Sequence, residues 1–203
     1  MQFKEALRRR RMVRNYTEDP VDWAVLERIA RAALRAPSAG YSQGVAVVTI
    51  TDQSVKGKIA ELADEPDYVA AGFDPWMSGA PAHIVICISE EAYHRRYQEA
   101  DKLTDAGEEI AWPIPYWWVD AGAALMLVLL AAVDEGLAAG FFGTHRLRGL
   151  SDVLGLPEST VPIGVVTIGH PAPDRRSGSL ARGPKPDREV VHYDRWGQGK
   201  PTG

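Results

Sequence analysis

Five arginines fall within seven residues near the start of the chain: Arg8, Arg9, Arg10, Arg11 and Arg14. Guanidinium groups this close repel one another unless something anionic neutralises them, and Arg grips a phosphate through paired N–H bonds. The run alone reads as a phosphate clamp, a solvated basic helix end or a nucleic-acid arm. Over 203 residues the formal net charge is -4, so the cluster is a local device. A broad nucleic-acid surface would need a basic footprint, and no nucleic-acid partner is expected.

Other chemistries lack a starting point. His83, His94, His145, His170 and His192 are scattered, without carboxylates or cysteines at metal-ligand spacing, and no metal is expected. There is no Walker loop and no Gly-x-Ser-x-Gly elbow. Gly136, Gly140 and Gly143 miss the dinucleotide fingerprint and close a helix where that fingerprint should follow a strand. Cys87 is the only cysteine and sits inside the apolar run Ala82–Ile88, which reads as a buried structural thiol. A lone cysteine and a charged N-terminus without a signal peptide point to the cytoplasm.

The elements that must position these residues follow from periodicity and punctuation. A composition of 45% hydrophobic and 25% charged residues suits one ordinary domain, 1–203. A helix is expected over 2–10, and a second one capped by Asp22 and stopped by Pro37. Val45–Ile50 reads as a buried strand, 54–64 as a helix, and 65–81 as an irregular loop of lid length. Ala82–Ser89 is a second strand, 90–105 a charged helix, and Trp112–Trp118 an aromatic and proline stretch. Ala121–Val133 is a run of thirteen residues without a charge. It is short of the ~20 residues that cross a bilayer, so no membrane partner is expected, and a helix apolar all round must be buried on every side. Sharing it with a second copy of the chain is the simplest way. Leu137–Phe142 and Ile163–Ile168 are further strands, with a helix over 147–154 between them. The Pro- and Gly-rich tail, 171–203, holds one strand-like run, Glu189–His192, expected at a sheet edge of this chain or a partner. Together these elements predict an α+β or three-layer α/β fold, one sheet packed by helices.

Five segments, taken in order, carry a resemblance. They are Arg10-Arg11-Met12-Val13-Arg14-Asn15-Tyr16, Ala36-Pro37-Ser38-Ala39-Gly40-Tyr41-Ser42-Gln43-Gly44, and the apolar helix from Asp120 running into Gly140-Phe141-Phe142-Gly143-Thr144. The last two are Leu154-Gly155-Leu156-Pro157 with Ile168-Gly169-His170-Pro171, and Arg182-Gly183-Pro184-Lys185-Pro186 ahead of Glu189–His192. In order and spacing, over nearly the whole chain, they resemble the FMN-dependent nitroreductase superfamily. The resemblance implies a mixed sheet packed by helices and a homodimer with an exchanged C-terminal tail, 171–203.

It also implies FMN held by Arg10, Arg11, Met12, Arg14, Pro37, Ser38, Ala39, Tyr41, Gln43, Phe141, Phe142, Gly143, Thr144, Arg182 and Lys185. Arg10 and Arg11, with Arg182 or Lys185, suit the phosphate. Arg14 suits the pyrimidine edge, where a cation favours the charge that reduction adds. Phe142, Gly143 and Thr144 are expected on a turn whose backbone approaches the flavin, since glycine lets a ligand come close. Trp76, Trp112, Tyr116 and Trp117, with Tyr68 and Phe73, are candidates for a pocket shared by NAD(P)H and an acceptor. Departures from the pattern are Met12 for a serine, Tyr41 for an asparagine and Gly44-Val45 for Pro-Trp. No side chain need act as nucleophile or base. The implied activity is ping-pong reduction of nitroaromatics, quinones or related electron-poor small molecules by NAD(P)H. A flavin store or sensor without turnover, or a specialised flavin-chemistry branch of the superfamily, remains open at this stage.

Overall fold

The computed structural model describes residues 1–143, 145, 147–175 and 177–200. Its helices are α1 (Phe3–Arg9), α2 (Trp23–Ala32), α3 (Gln53–Leu62), α4 (Glu65–Ala70), α5 (Glu90–Tyr97), α6 (Tyr116–Asp134), α7 (Leu150–Leu154) and α8 (Asp187–Val190). Its strands are β1 (Val45–Ile50), β2 (Ala82–Ile88), β3 (Ala138–Gly143) and β4 (Val161–Gly169). They form one sheet in the order β1-β2-β4-β3.

Every ladder of this sheet is antiparallel, which corrects the mixed sheet expected from the resemblance. The parallel pairing present is a single bridge, Met12 to Ala139, where the chain after α1 runs along the outer edge of β3. β2 is buried at all seven positions, as its run, apolar except for His83, requires of a strand covered on both faces. Its side chains divide the core by the period of two. Ile84 and Ile86 join α2 and α6 on one face, while Val85 and Cys87 join α3, α7 and Trp76 on the other. The architecture is therefore helix, sheet, helix, in agreement with the three-layer α+β expectation. β1 lies at the edge and buries only Ile50 fully, so it is not the buried strand its composition suggested.

Local rules account for the boundaries. Asp22 accepts the Ala24 N–H and Asp52 the Val55 N–H, capping α2 and α3. α5 ends at Tyr97, short of the expected 105, because Arg96 turns back to bind Glu99 and Asp101 and closes the chain on itself. The expected lid, 65–81, is only partly irregular: it begins with α4 and buries Glu65, Trp76, Met77 and Ala80.

α6 extends to 19 residues, long and apolar enough by composition to cross a membrane, yet it packs along the sheet through Ala124, Val128, Leu129 and Ala132. It is not buried all round. Val119, Gly122 and Met126 form an exposed apolar stripe at helical spacing. The run Glu189–His192 is not a strand: Asp187–Val190 closes one helical turn after Pro186. β preference depends on a neighbouring strand, and here no described strand lies alongside.

Candidate active site

The chain after α1 is fixed against β3 by backbone and buried side chains. Val13 N–H donates to Ala139 O at 3.0 Å. The Tyr16 hydroxyl, buried, reaches Val13 O and Thr167 Oγ1, each at 2.7 Å, and burial pushes its ionisation well above the usual tyrosine range. A Cβ on Gly140 would stand 2.4 Å from Val13 O, so only glycine permits this approach. Between the anchors Val13 and Tyr16, Arg14 turns outward. Its backbone N–H donates to Asp174 Oδ2 at 3.0 Å, tying the start of the chain to the segment after β4.

Arg14 opens onto a cavity of about 410 Å³ at the end of β3. Trp76, Tyr68, Phe73 and Phe142 supply aromatic walls, and Phe141 and Gly143 complete the strand side. The Trp76 ring stands 5.9 Å from Phe142, and the Arg14 guanidinium lies over it at 5.5 Å. At the mouth, the Arg175 guanidinium lies 5.2 Å from the Phe73 ring and His145 stacks on Phe142. Asp74, His145, Asp174 and Arg175 were not among the sequence candidates. The signal that was available is the position of Asp174 and Arg175, three and four residues past Pro171 at the Ile168-Gly169-His170-Pro171 strand end.

Phe142 and Gly143, expected on a turn, are instead the last two residues of β3, paired with Val165 and Gly164, and Phe141 before them pairs with Val166 as part of the expected strand. The expectation for Thr144 lies outside the described residues. A Cβ on Gly143 would meet only His145 Nδ1, at 3.5 Å, among the described residues, so the strand presents uncovered backbone to the cavity.

The arginine run divides. Arg8 and Arg9 bind Glu5, the latter at 2.6 Å, on the surface of α1. Arg10 and Arg11 have no ion pair among the described residues, and Met12 is exposed at its bridge to β3. Arg182 and Lys185 are exposed on the tail and do not line the cavity.

A second group of candidates sits elsewhere. Pro37, Ser38, Tyr41 and Gln43 line a cleft of about 370 Å³ just before β1. Ala39 N–H donates to the buried Asp120 carboxylate at 2.8 Å, which also accepts the Tyr93 hydroxyl at 2.8 Å. Ser38 Oγ accepts the Gln43 N–H. Tyr41 and Gln43 hold positive φ, 59° and 53°, a strained state for side chains that are not glycine or asparagine. Tyr41 is 78% exposed.

Gly143, Gly164, Ile86 and Val47 form one row across the sheet, so the two groups share an end of it but occupy opposite edges. Three inter-strand spacings separate β1 from β3, roughly 14 Å. One chain therefore does not bring Arg14 and Gly143 together with Ser38 and Gln43. Nor does it bring Trp112, Tyr116 and Trp117 to Trp76. Trp112 and Trp117 pack around Tyr93, with ring centres 6.4 and 6.0 Å from it, and Tyr116 lies 6.5 Å from Trp112.

The donor set at the end of β3 fits FMN. It offers aromatic walls for a planar ring, an uncovered strand for its edge and one guanidinium, Arg14, beside the ring, while Arg10 and Arg11 do not line it. A volume near 400 Å³ is ordinary for a small-molecule site.

Comparison with known proteins agrees. Residues 7–170 match the Nitroreductase family. A Bacillus subtilis (strain 168) protein named FMN reductase, NAD(P)H, is 33% identical over 188 residues, 90% of this chain and 69% of that protein. The crystal structure of nitroreductase A from Vibrio parahaemolyticus is 26% identical, covers 95% of this chain and 75% of its own, and superposes with a TM-score of 0.70. The structure described as the hypothetical oxidoreductase YcnD from Bacillus subtilis is 29% identical, with 95% and 74% covered and a TM-score of 0.70.

Proposed function

The chain belongs to the nitroreductase family, and we propose that it reduces nitroaromatics, quinones or related electron-poor acceptors with NAD(P)H in a ping-pong sequence. It is an NAD(P)H-dependent flavin oxidoreductase with FMN as cofactor. The observation that carries the reading is the aromatic cavity at the end of β3, with Arg14 on its wall and bare backbone at Gly143.

Bound FMN supplies the hydride chemistry. Arg10 and Arg11 would hold its phosphate, with Arg182 or Lys185 adding a cation from the tail. Arg14 would favour the negative charge that reduction adds to the ring. The uncovered backbone at the Gly143 end of β3 would leave room for the ring. Trp76, Tyr68 and Phe73 would receive the nicotinamide and the acceptor. Nucleotide and acceptor are taken to use the same opening over the flavin, so that the nucleotide leaves before the acceptor enters. Buried Cys87, its thiol pushed up to about 11 by desolvation, takes no part.

The second half of the site comes from a second copy. Pro37–Gln43 of one protomer meet Arg10–Arg14 and Phe141–Gly143 of its partner, and Trp112, Tyr116 and Trp117 approach the cavity from the same side. The exposed stripe on α6 supports such a homodimer, in which the tail 171–203, past the residues held on their own chain through Pro173, Asp174 and Arg175, embraces the partner while each chain remains one domain, 1–203. A cytoplasmic location suits a nicotinamide-dependent enzyme.

The test is direct. The purified protein is expected to be yellow with FMN and to bleach on anaerobic mixing with NADH or NADPH, with parallel initial-velocity lines when nucleotide and acceptor are varied. A colourless protein that takes up no added FMN refutes the reading. Bound flavin that neither nucleotide bleaches would make the protein a flavin store.

A further inference from the structure

Three of the five buried polar or charged side chains among the described residues serve one short stretch of backbone. Those five are Lys56, Glu65, His83, Asp120 and Thr167. The Glu65 carboxylate, at the start of α4, accepts the Met77 N–H at 2.5 Å and the Ser78 N–H at 3.2 Å. His83, fully buried on β2, donates from Nε2 to Met77 O at 2.7 Å. Lys56 of α3 donates from Nζ to Ala80 O at 2.7 Å and Pro81 O at 3.2 Å. Both backbone groups of Met77 are thus gripped, by side chains from two different elements. The same stretch closes on itself, Gly79 N–H donating to Pro75 O at 2.9 Å.

Burying charged or polar side chains is costly, and hydrophobic residues of similar volume would often stabilise the core as well. What the arrangement fixes is the residue before Met77. Trp76, 4% exposed, is the wall of the cavity between Arg14 and Phe142. Burial pushes His83 down to about 4, so at neutral pH its ring is uncharged and the grip is constant. The other charged group near it is Lys56, whose own ionisation burial lowers.

We propose that Glu65 and His83 are positioning residues of this site: they clamp the Met77 peptide groups and so hold Trp76 as a fixed wall against which the nicotinamide and acceptor are oriented. This rests on the reading of the cavity as a flavin site. Glu65 and His83 touch neither substrate nor cofactor; they act through Trp76.

The experiment uses Glu65→Gln and Glu65→Ala in the full-length protein. Hydrogen exchange at the Met77 and Ser78 amides reports the clamp without flavin. The fluorine resonance of Trp76, in protein labelled with 5-fluorotryptophan and assigned with Trp76→Phe, reports the wall. Glu65→Gln keeps one acceptor oxygen and is expected to fold. Exchange at the two amides should quicken about tenfold, the scale of one lost buried hydrogen bond, and the Trp76 resonance should shift or broaden. FMN affinity, set by the phosphate grip, should change by less than about threefold, while flavin reduction at saturating NADPH slows about tenfold or more. In a Trp76→Ala background, Glu65→Gln should add no further slowing, because the wall is already gone.

Unchanged exchange and an unchanged Trp76 signal would overturn the clamp. Faster exchange with normal flavin reduction, or full additivity with Trp76→Ala, would overturn its role in the site. Neither result resembles failure of the flavin reading, in which the unaltered protein itself takes up no FMN.

Discussion

The Arg14 guanidinium carbon stands 5.5 Å from the centre of the Trp76 ring, within the range in which a cation is drawn to an indole face. Arg14 is thereby held at the cavity wall by contacts that use neither of its fork-like donor edges. Arg14→Gln should leave the fold intact, lower the flavin midpoint potential and slow flavin reduction by about 10²-fold, the scale of a lost electrostatic stabiliser. Potentiometry and stopped-flow absorbance check both; an unchanged potential would remove Arg14 from the ring.

The split arginine run makes a contrast within four residues. Arg11→Ala should weaken FMN binding by ~1.5–3 kcal/mol, as for a charge-assisted contact. Arg9→Ala, whose side chain is committed to Glu5 on the surface of α1, should leave the dissociation constant nearly unchanged. Titration of apoprotein by flavin fluorescence measures both. Equal effects would mean that the run acts only through its summed charge.

Gly143 tests the strand end. The protein itself has room for a Cβ there, since the nearest described atom would be His145 Nδ1 at 3.5 Å. Lost flavin occupancy in Gly143→Val would therefore report a clash with the ligand, not a broken core. Gly57→Ala, on α3 where a Cβ meets nothing, is the control and should keep the wild-type flavin spectrum. Normal FMN binding, potential and turnover in Gly143→Val would displace the ring from β3.

Stability should fall in acid through His83. Its folded value, about 4, lies below the ordinary 6.5 because burial disfavours the charged ring. The unfolded chain takes up the proton first, so this contribution is complete above pH 6.5 and is lost as pH falls towards 4. The loss amounts to roughly 3 kcal/mol. Urea unfolding at pH 7.5 and 4.5 should show His83→Phe less sensitive to pH than the wild type by about that amount. An equal slope in the two proteins would mean that the ring is charged in the folded state.

The stripe on α6 makes its own prediction. Val119→Glu or Met126→Glu would place a carboxylate in the proposed dimer contact, where desolvation is costly. Sedimentation should then find monomer and reduced FMN occupancy. A flavin-loaded dimer in either variant would put the interface elsewhere.

Much of this frame is legible in the sequence, because it follows from local rules. The largely apolar run of β2 is a strand covered on both faces, and Asp22 caps α2 where expected. What is not legible depends on distant parts of the chain meeting. Asp174 joins the site only because it accepts an N–H from a residue 160 positions away. The valines at 190 and 191 carry strand preference, but after Pro186 the chain turns into α8, which takes in Val190 and leaves Val191 as an extended residue at its end. Spacing likewise cannot say that Ser38 and Gly143 stand at opposite edges of one sheet, since that follows from the strand order alone.

That separation has a genetic consequence. In a dimer sharing its sites as proposed, each contains the arginine segment of one chain and the Pro37–Gln43 segment of the other. A chain damaged at Arg11 and another damaged at Ser38 would each be inactive by itself. Mixed in one cell, they would form heterodimers with one doubly damaged site and one assembled wholly from undamaged segments. Two loss-of-function alleles would complement each other, restoring up to half the activity per mixed dimer.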